Sequence, residues 1–496
     1  MTFTSYLAKN RQNILYFLIL FVIIFASYWR TLFFPFVHDD FAFAERFEFA
    51  PFIISLINSF DPRQVLFYRP LSYLYMLCMY KLFGLTSFPD HLFILFLHLI
   101  NSYLVGMIAR KLIGNKQLGY IIGAIYAIAI PIHIDVLSWS LAGIQDLGGQ
   151  LFFLLTILSQ INGQKFKCII YFMLSLLFKE STIILLLILF AYSIMFTNLS
   201  KSIFFRIKEM RLFAIPLLAY VIIKSLGTPV FKLPSSHPYY ISFKGWHITY
   251  NIVSYLGWMA QSIIPYQGEV RAPFFRSIVF VMFLTPLLIG FTKSSNLFIV
   301  KNLIFLYIWF LIPLCMVIFL PNHTYRYYAT YSFPAVLILF GFILNSFWLD
   351  YWGSVEKIII YLTAIGIIGY FMICSNFVFY QGIGQRIYLD GTNLLIPRAA
   401  MVKILQRDLP RYLPNPPDST VIVFKGLDLG SINYESGIKL FYKRTDIRVI
   451  HFGDLKKDEN GYYVELSSNK NYIDDKKVFI FKLKGKKLKP IRLANN

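Results

Sequence analysis

Apolar residues in this chain come in long, nearly unbroken runs rather than as alternating or helical-face patterns. The runs fall near 13–29, 88–109, 118–133, 147–161, 168–178, 182–197, 212–226, 278–292, 302–320, 329–348 and 358–378. Many of them approach the roughly 20 residues a helix needs to cross about 30 Å of hydrocarbon. Because the runs are continuous, they predict helices and not the strands of a barrel. Two further apolar stretches, 70–84 and 248–265, would reverse every later loop if they crossed. They read as helices lying in the interface, which leaves eleven crossings, or 13 if both span. Residues 13–29 resemble a signal peptide in length. No small-residue cleavage site follows and more spans come after, so a retained anchor is expected.

Charge sets the orientation. Lys9 and Arg11 precede the first run and place the N-terminus in the cytoplasm. Arg110, Lys111 and Lys116 follow the second run, Lys165 and Lys167 the fourth. Lys201, Arg206, Lys208 and Arg211 follow the sixth, and Lys293 and Lys301 the eighth. Each even-numbered loop is basic, as a cytoplasmic loop should be. Eleven crossings then put the C-terminal segment outside. The composition changes after about residue 380. Residues 380–415 mix Arg with Pro and read as a linker, and Thr420–Phe424 and Lys477–Lys482 read as short strands. The expected organisation is a transmembrane domain over 1–380 with an external loop at 30–87. A small α/β extracytoplasmic domain follows over 381–496. The fold class is an all-α polytopic membrane domain with that small domain attached.

The chain is 57% hydrophobic and 15% charged over 496 residues, with a mean hydropathy of +0.60, more apolar surface than a soluble fold could hide. Its net charge of +22 resides mainly in short loops and in the tail. That pattern fits a membrane surface and argues against nucleic acid, since no basic recognition helix is present. Cys78, Cys168, Cys315 and Cys374 show no paired spacing and read as buried thiols. The abundance of Lys, Ile, Phe and Asn points to an AT-rich bacterial genome, hence a bacterial inner membrane.

Polar residues beside apolar runs are costly unless they face water, a cation or a substrate. In this topology they gather on the outer side. His38-Asp39-Asp40 follows the first span, and Tyr68-Arg69-Pro70-Leu71 ends the same loop. His133 and Asp135 cap the third span, and Gln145 and Asp146 precede the fourth. Lys179-Glu180-Ser181 breaks the run between the fifth and sixth, and His323-Thr-Tyr325-Arg326 lies between the ninth and tenth. Such a pocket can hold a headgroup phosphate, through forked contacts from Arg and a point charge from Lys. A carboxylate beside the phosphate-linked carbon can take the proton of an incoming hydroxyl or amine. Together these describe group transfer from a lipid phosphate to an external acceptor.

Here the chain resembles GT-C-type membrane glycosyltransferases, the superfamily of protein O-mannosyltransferases and aminoarabinose transferases. Most of all it is similar to the transmembrane O-mannosyltransferase-like branch. The likeness rests on Phe36-Val-His38-Asp39-Asp40, on Tyr68-Arg69-Pro70-Leu71 followed by Phe83-Gly84 and His91, and on Pro131-Ile-His133-Ile-Asp135-Val-Leu-Ser-Trp139. It rests also on Lys179-Glu180-Ser181 and Arg326-Tyr327, and covers roughly residues 10–350. It implies a polyprenyl-phosphate sugar donor and transfer with inversion to a protein, lipid or glycan acceptor. Asp39 or Asp40 would be the general base, Asp40 slightly favoured. Arg69, Lys179 and Arg326 would hold the donor phosphate, with Tyr325 beside them. Glu180, His133 and Asp135 would orient the acceptor or partner side chains. A divalent metal, Mg or Mn, is permitted but not demanded, with Asp40 and Glu180 as its holders. The chain lacks the tetratricopeptide repeats that branch often carries, a small α/β segment standing in their place, so the acceptor type does not carry over; it also departs from the pattern at two sites. Asp135 stands where the family usually has Glu, and Ile144-Gln145 replaces a basic pair before Asp146.

Other readings remain beside this one. Asp39 and Asp40 can cap the following helix, Lys179-Glu180 can link two helix ends, and Arg326 can anchor an aromatic belt. A transporter or lipid flippase with an acidic outer site would place charges in mid-span and show related halves. A scaffold subunit would tolerate loss of its outer acids. The transferase reading expects Asp39→Asn and Asp40→Asn each to remove transfer and leave folding intact.

Overall fold

The computed structural model describes residues 3–64, 67–196, 203–227, 233–266, 268–292, 297–345, 354–381, 395–459, 461–466 and 469–491. Each apolar run forms helix over most of its described residues. In chain order these are α1 (Phe3–Tyr28), α2 (Asp39–Phe49), α3 (Phe52–Phe60), α4 (Pro70–Phe83), α5 (Phe88–Ile113), α6 (Lys116–Ile128), α7 (Ile130–Ser138), α8 (Ser140–Ile161) and α9 (Lys165–Phe178). They continue with α10 (Leu185–Phe196), α11 (Ile203–Ser225), α12 (His247–Gln261), α13 (Pro273–Thr292), α14 (Leu297–Cys315), α15 (Phe333–Leu344) and α16 (Ser354–Gln381). The stretches 70–84 and 248–265 correspond to α4 and α12.

Among the described residues, four helical segments are long and apolar enough to cross a membrane: Arg11–Phe33, Phe88–Ile113, Ser140–Ile161 and Leu297–Cys315. The pair α6 and α7, bent by 53° at a short break, makes a fifth if it acts as one span. The chain is thus a multi-pass membrane protein. The other runs form helices whose apolar stretches are shorter, so length alone does not establish the expected count of eleven.

Local chemistry accounts for the tightest helix pair. Gly114, at φ +80, ends α5 by donating its N–H to the Arg110 carbonyl at 3.0 Å. Asn115 then starts α6 by accepting from the Leu118 N–H at 3.1 Å. The two helices come so close that a Cβ on Gly119 would lie 2.8 Å from the Arg110 nitrogen. One on Gly123 would lie 2.8 Å from the Ser102 carbonyl oxygen. Small residues at such crossings let helix backbones approach where lipid offers no hydrophobic drive.

Residues 395–412, expected to be linker, form an eighteen-residue helix, α17 (Leu395–Tyr412). Its buried positions Leu395, Ala399, Val402, Leu405 and Leu409 recur at helical spacing. They join one continuous apolar cluster with Val37, Phe41 and Ile134 of the helical body. Beyond lies α18 (Ser436–Tyr442) and a four-stranded sheet of β1 (Val421–Lys425), β2 (Arg448–His451), β6 (Val478–Lys484) and β7 (Lys487–Ile491), in the order β2-β1-β6-β7. β1 runs parallel to β2 and β6, and β7 closes the edge antiparallel to β6. Both expected strands are present, as β1 and β6. The Tyr-rich stretch between them is an antiparallel sheet of β3 (Leu455–Asp458), β4 (Gly461–Leu466) and β5 (Asn469–Ile473). Of the four cysteines expected to be buried, only Cys168 is; Cys78 and Cys315 are exposed, and all four are free thiols.

The α5–α6 contact gives a test. Gly119→Leu should force the two helices apart at a cost of about 1–3 kcal/mol, lowering the thermal midpoint of the detergent-purified protein. Leu at Gly84, which has no neighbouring atom within 4 Å but has φ +59, should cost only the backbone strain.

Candidate active site

The loop after α1 turns sharply before α2. The Asp40 N–H donates to the Val37 carbonyl at 3.1 Å. His38 occupies the turn at φ 54 and ψ −125, a region that favours glycine and that other residues hold only when their surroundings over-determine it. Asp40 supplies much of that determination. One carboxylate oxygen accepts from the Val37 N–H at 3.0 Å, and the other from the Leu141 N–H at 2.8 Å. Leu141 is in the first turn of α8, whose leading N–H groups have no partner within the helix. Asp40 therefore caps a distant helix across the fold and does not face the cavity.

Asp39 does face it. Along α2, Asp39, Phe43 and Arg46 are spaced i, i+4 and i+7 and so share one side of the helix. All three line a cavity of about 250 Å³ with Gln64, Phe67, Arg69, Tyr73, Trp139, Leu141, Ala142, Gln145, Asp146, Lys179, Tyr239, Tyr327 and Tyr328. A hydrogen bond of 2.7 Å joins the Asp39 carboxylate to Nδ1 of His38, whose ring lies 5.6 Å from that of Trp139.

Two ion pairs build the opposite wall. Arg69, at the start of α4, binds Glu180 in a fork, Nε to Oε2 and Nη2 to Oε1, each at 2.5 Å. Its remaining Nη1 donates to Gln145 of α8. Lys179, at the end of α9, pairs with Asp146 of α8 and lies 5.0 Å from the centre of the Tyr327 ring. The neighbours Lys179 and Glu180 thus reach to different helices. Arg46 is an exposed cation with no acidic partner among the described residues, its guanidinium 5.4 Å from the Phe43 ring.

Several of the expected site residues lie away from this cavity. His133 is fully buried, its ring 4.6 Å from those of His98 and Tyr126. It packs the interior, as does the buried Asp135, and neither lines the cavity. Arg326 is buried with its guanidinium 5.0 Å over Trp258. Tyr325 stacks on Tyr327 at 5.4 Å without lining the cavity. The short 3₁₀ turn Arg326–Ala329 presents Tyr327 and Tyr328 to the cavity instead. The proposed metal holders do not meet. Asp40 gives its oxygens to backbone donors and Glu180 to Arg69, and among the described residues no three His, Cys, Asp or Glu side chains group to hold a metal ion. Arg46 was missed, although its spacing from Asp39 could have revealed it. Tyr239, from a loop far along the chain, left no such signal.

No family model matches the chain. No curated protein matches it. Among solved structures, the crystal structure of ArnT from Cupriavidus metallidurans bound to undecaprenyl phosphate is similar over 89% of this chain and 86% of that one, with 13% identity and a TM-score of 0.47. A likeness at that level decides neither family nor activity.

The two aspartates should separate in a stability assay. Asp40→Asn turns an amide N–H toward one of two backbone donors and should cost about 1–3 kcal/mol, whereas Asp39→Asn should leave the melting temperature unchanged. Burial pushes the Asp40 carboxyl up to about 8, its backbone donors opposing and Asp90 and Asp39 reinforcing the shift. The unfolded value is about 3.9. The group's contribution to stability is therefore full below about pH 4 and is lost as pH rises through 8. Unfolding scans across that window should show this slope in the wild type and its absence in Asp40→Asn.

Proposed function

We propose that the chain is an integral-membrane glycosyltransferase of GT-C type. It would move a sugar from a polyprenyl-phosphate donor to an extracytoplasmic acceptor, with its N-terminus cytoplasmic and its C-terminal domain outside. The observation that carries this reading is the cavity that sets the Asp39 carboxylate among Arg46, Arg69 and Lys179, with aromatic walls at the end of apolar helices. The motif resemblance in the outer loops supports it independently.

In this reading Asp39 takes the proton of the acceptor hydroxyl or amine. The acceptor atom attacks the anomeric carbon from the side opposite the phosphate, and a new bond to carbon forms. The carbon–oxygen bond to the phosphate breaks, its electron pair stays on the leaving phosphate oxygen, and the configuration inverts. Arg46 has no acidic partner among the described residues and meets the phosphate directly. Arg69 and Lys179 are already paired, so they add field and shape while their acids hold them in place. Asp39 replaces Asp40 as the base, because Asp40 has given its oxygens to the backbone.

The test is transfer by purified protein from labelled polyprenyl-phosphate sugars. Asp39→Asn should lower the rate about 10²-fold or more with the fold retained, and Arg46→Ala should raise the KM for the donor. A full rate in Asp39→Asn would overturn the mechanism.

A further inference from the structure

The helix that carries Asp39 has a second working face. Taking about 100° per residue, Phe41, Glu45 and Glu48 project from α2 on the side roughly opposite Asp39 and Arg46. That side meets the C-terminal domain. The fully buried Phe41 packs edge-on against Phe441 of α18, with ring centres 5.7 Å apart. Lys439 of α18 lies 3.6 Å from Glu45, and Lys443 lies 3.6 Å from Glu48. The strained residue itself is held from the same direction. The His38 N–H donates at 3.0 Å to the carbonyl of Ser431, in the 3₁₀ turn Leu429–Ile432. That turn is tied back to α17, since Asp428 pairs with Arg398 at 2.8 Å and accepts from the Gly430 N–H at 2.9 Å.

We infer that the C-terminal domain is a working part of the catalytic site: its Ser431 turn and α18 hold the Val37–Asp40 turn in its glycine-like form, and so fix where the Asp39 carboxylate points. The inference rests on the role proposed for Asp39. Phe441 and Lys439 are positioning residues and touch no substrate. His38 alone would relax toward ordinary backbone angles, because a residue other than glycine keeps that conformation only where its surroundings over-determine it. Asp40 restrains the turn from the α8 side and Ser431 from the domain side. With the second restraint loosened, the cavity walls stay in place while the base loses its aim.

The experiment uses the full-length purified protein and the variant Phe441→Ala, with Phe441→Tyr as the conservative control. Hydrogen exchange read by mass spectrometry should speed up in peptides covering 36–42 and stay unchanged in α5 and α8. In the same sample kcat should fall at least about tenfold, as a small displacement of a reacting group costs, with the KM for a labelled polyprenyl-phosphate sugar unchanged. Phe441→Tyr should match the wild type in both measurements. Should Phe441→Ala fail to fold, Lys439→Gln, at a partly exposed position, should shift exchange and kcat the same way by less. Unchanged exchange at 36–42 overturns the inference, and so does faster exchange with an unchanged kcat. If the wild type transfers nothing, the proposed function fails instead, and the exchange data alone then decide whether the domain holds the turn.

Discussion

Asp40 joins two backbone segments more than a hundred residues apart, and the geometry of the cavity depends on that junction. Its two oxygens accept from Val37 and Leu141, so one side chain closes the turn after α1 and satisfies a donor in the first turn of α8. Buried backbone N–H groups must find an acceptor somewhere. The neighbouring residue gains from this arrangement. Because Asp40 is committed inward, Asp39 must leave the turn on the other side, toward the cations.

The ion pairs around the cavity serve geometry more than stability. A buried pair recovers little beyond its desolvation cost, although breaking one leaves an uncompensated charge and is expensive. Arg69–Glu180 and Lys179–Asp146 therefore add little net stability, and they fix the approach of the α4, α8 and α9 ends to one another. Adjacent residues at the end of α9 reach into two different partners, so rotation there would break both pairs at once. The forked Arg69–Glu180 contact is directional in a way that a lysine could not reproduce.

Much of the helical architecture was legible because the information is local. An apolar run marks a helix wherever it occurs, and β1 and β6 announced themselves by their branched and aromatic residues. The helix α17 was legible too, through Leu395, Ala399, Val402, Leu405 and Leu409, but the surrounding Arg and Pro masked its spacing. Which of Asp39 and Asp40 faces the cavity could not be read locally, since Asp40 is turned away by an N–H at Leu141, on a separate helix. From the segment around Arg326 it is Tyr327 and Tyr328 that line the cavity, because a single 3₁₀ turn determines which of its four consecutive residues face it. His133 drew attention as a polar residue near a span end, yet its ring packs among His98, Tyr126 and Phe333 as an aromatic would.

Among the described residues, the charged lining of the cavity is three cations, Arg46, Arg69 and Lys179, against the two anions Asp39 and Asp146, with Glu180 behind Arg69. On the proposed reading, conservation of charge shapes the catalytic cycle. A lipid phosphodiester arrives with one negative charge, and after transfer the lipid phosphate carries up to two while Asp39 holds a proton. The total is the same before and after the chemical step; negative charge has only moved from Asp39 to the phosphate. The spent lipid phosphate, with a second pKa of about 6, is a stronger base than an ordinary carboxylate and can carry that proton away as it leaves. On this reading the departing lipid itself resets the base for the next transfer.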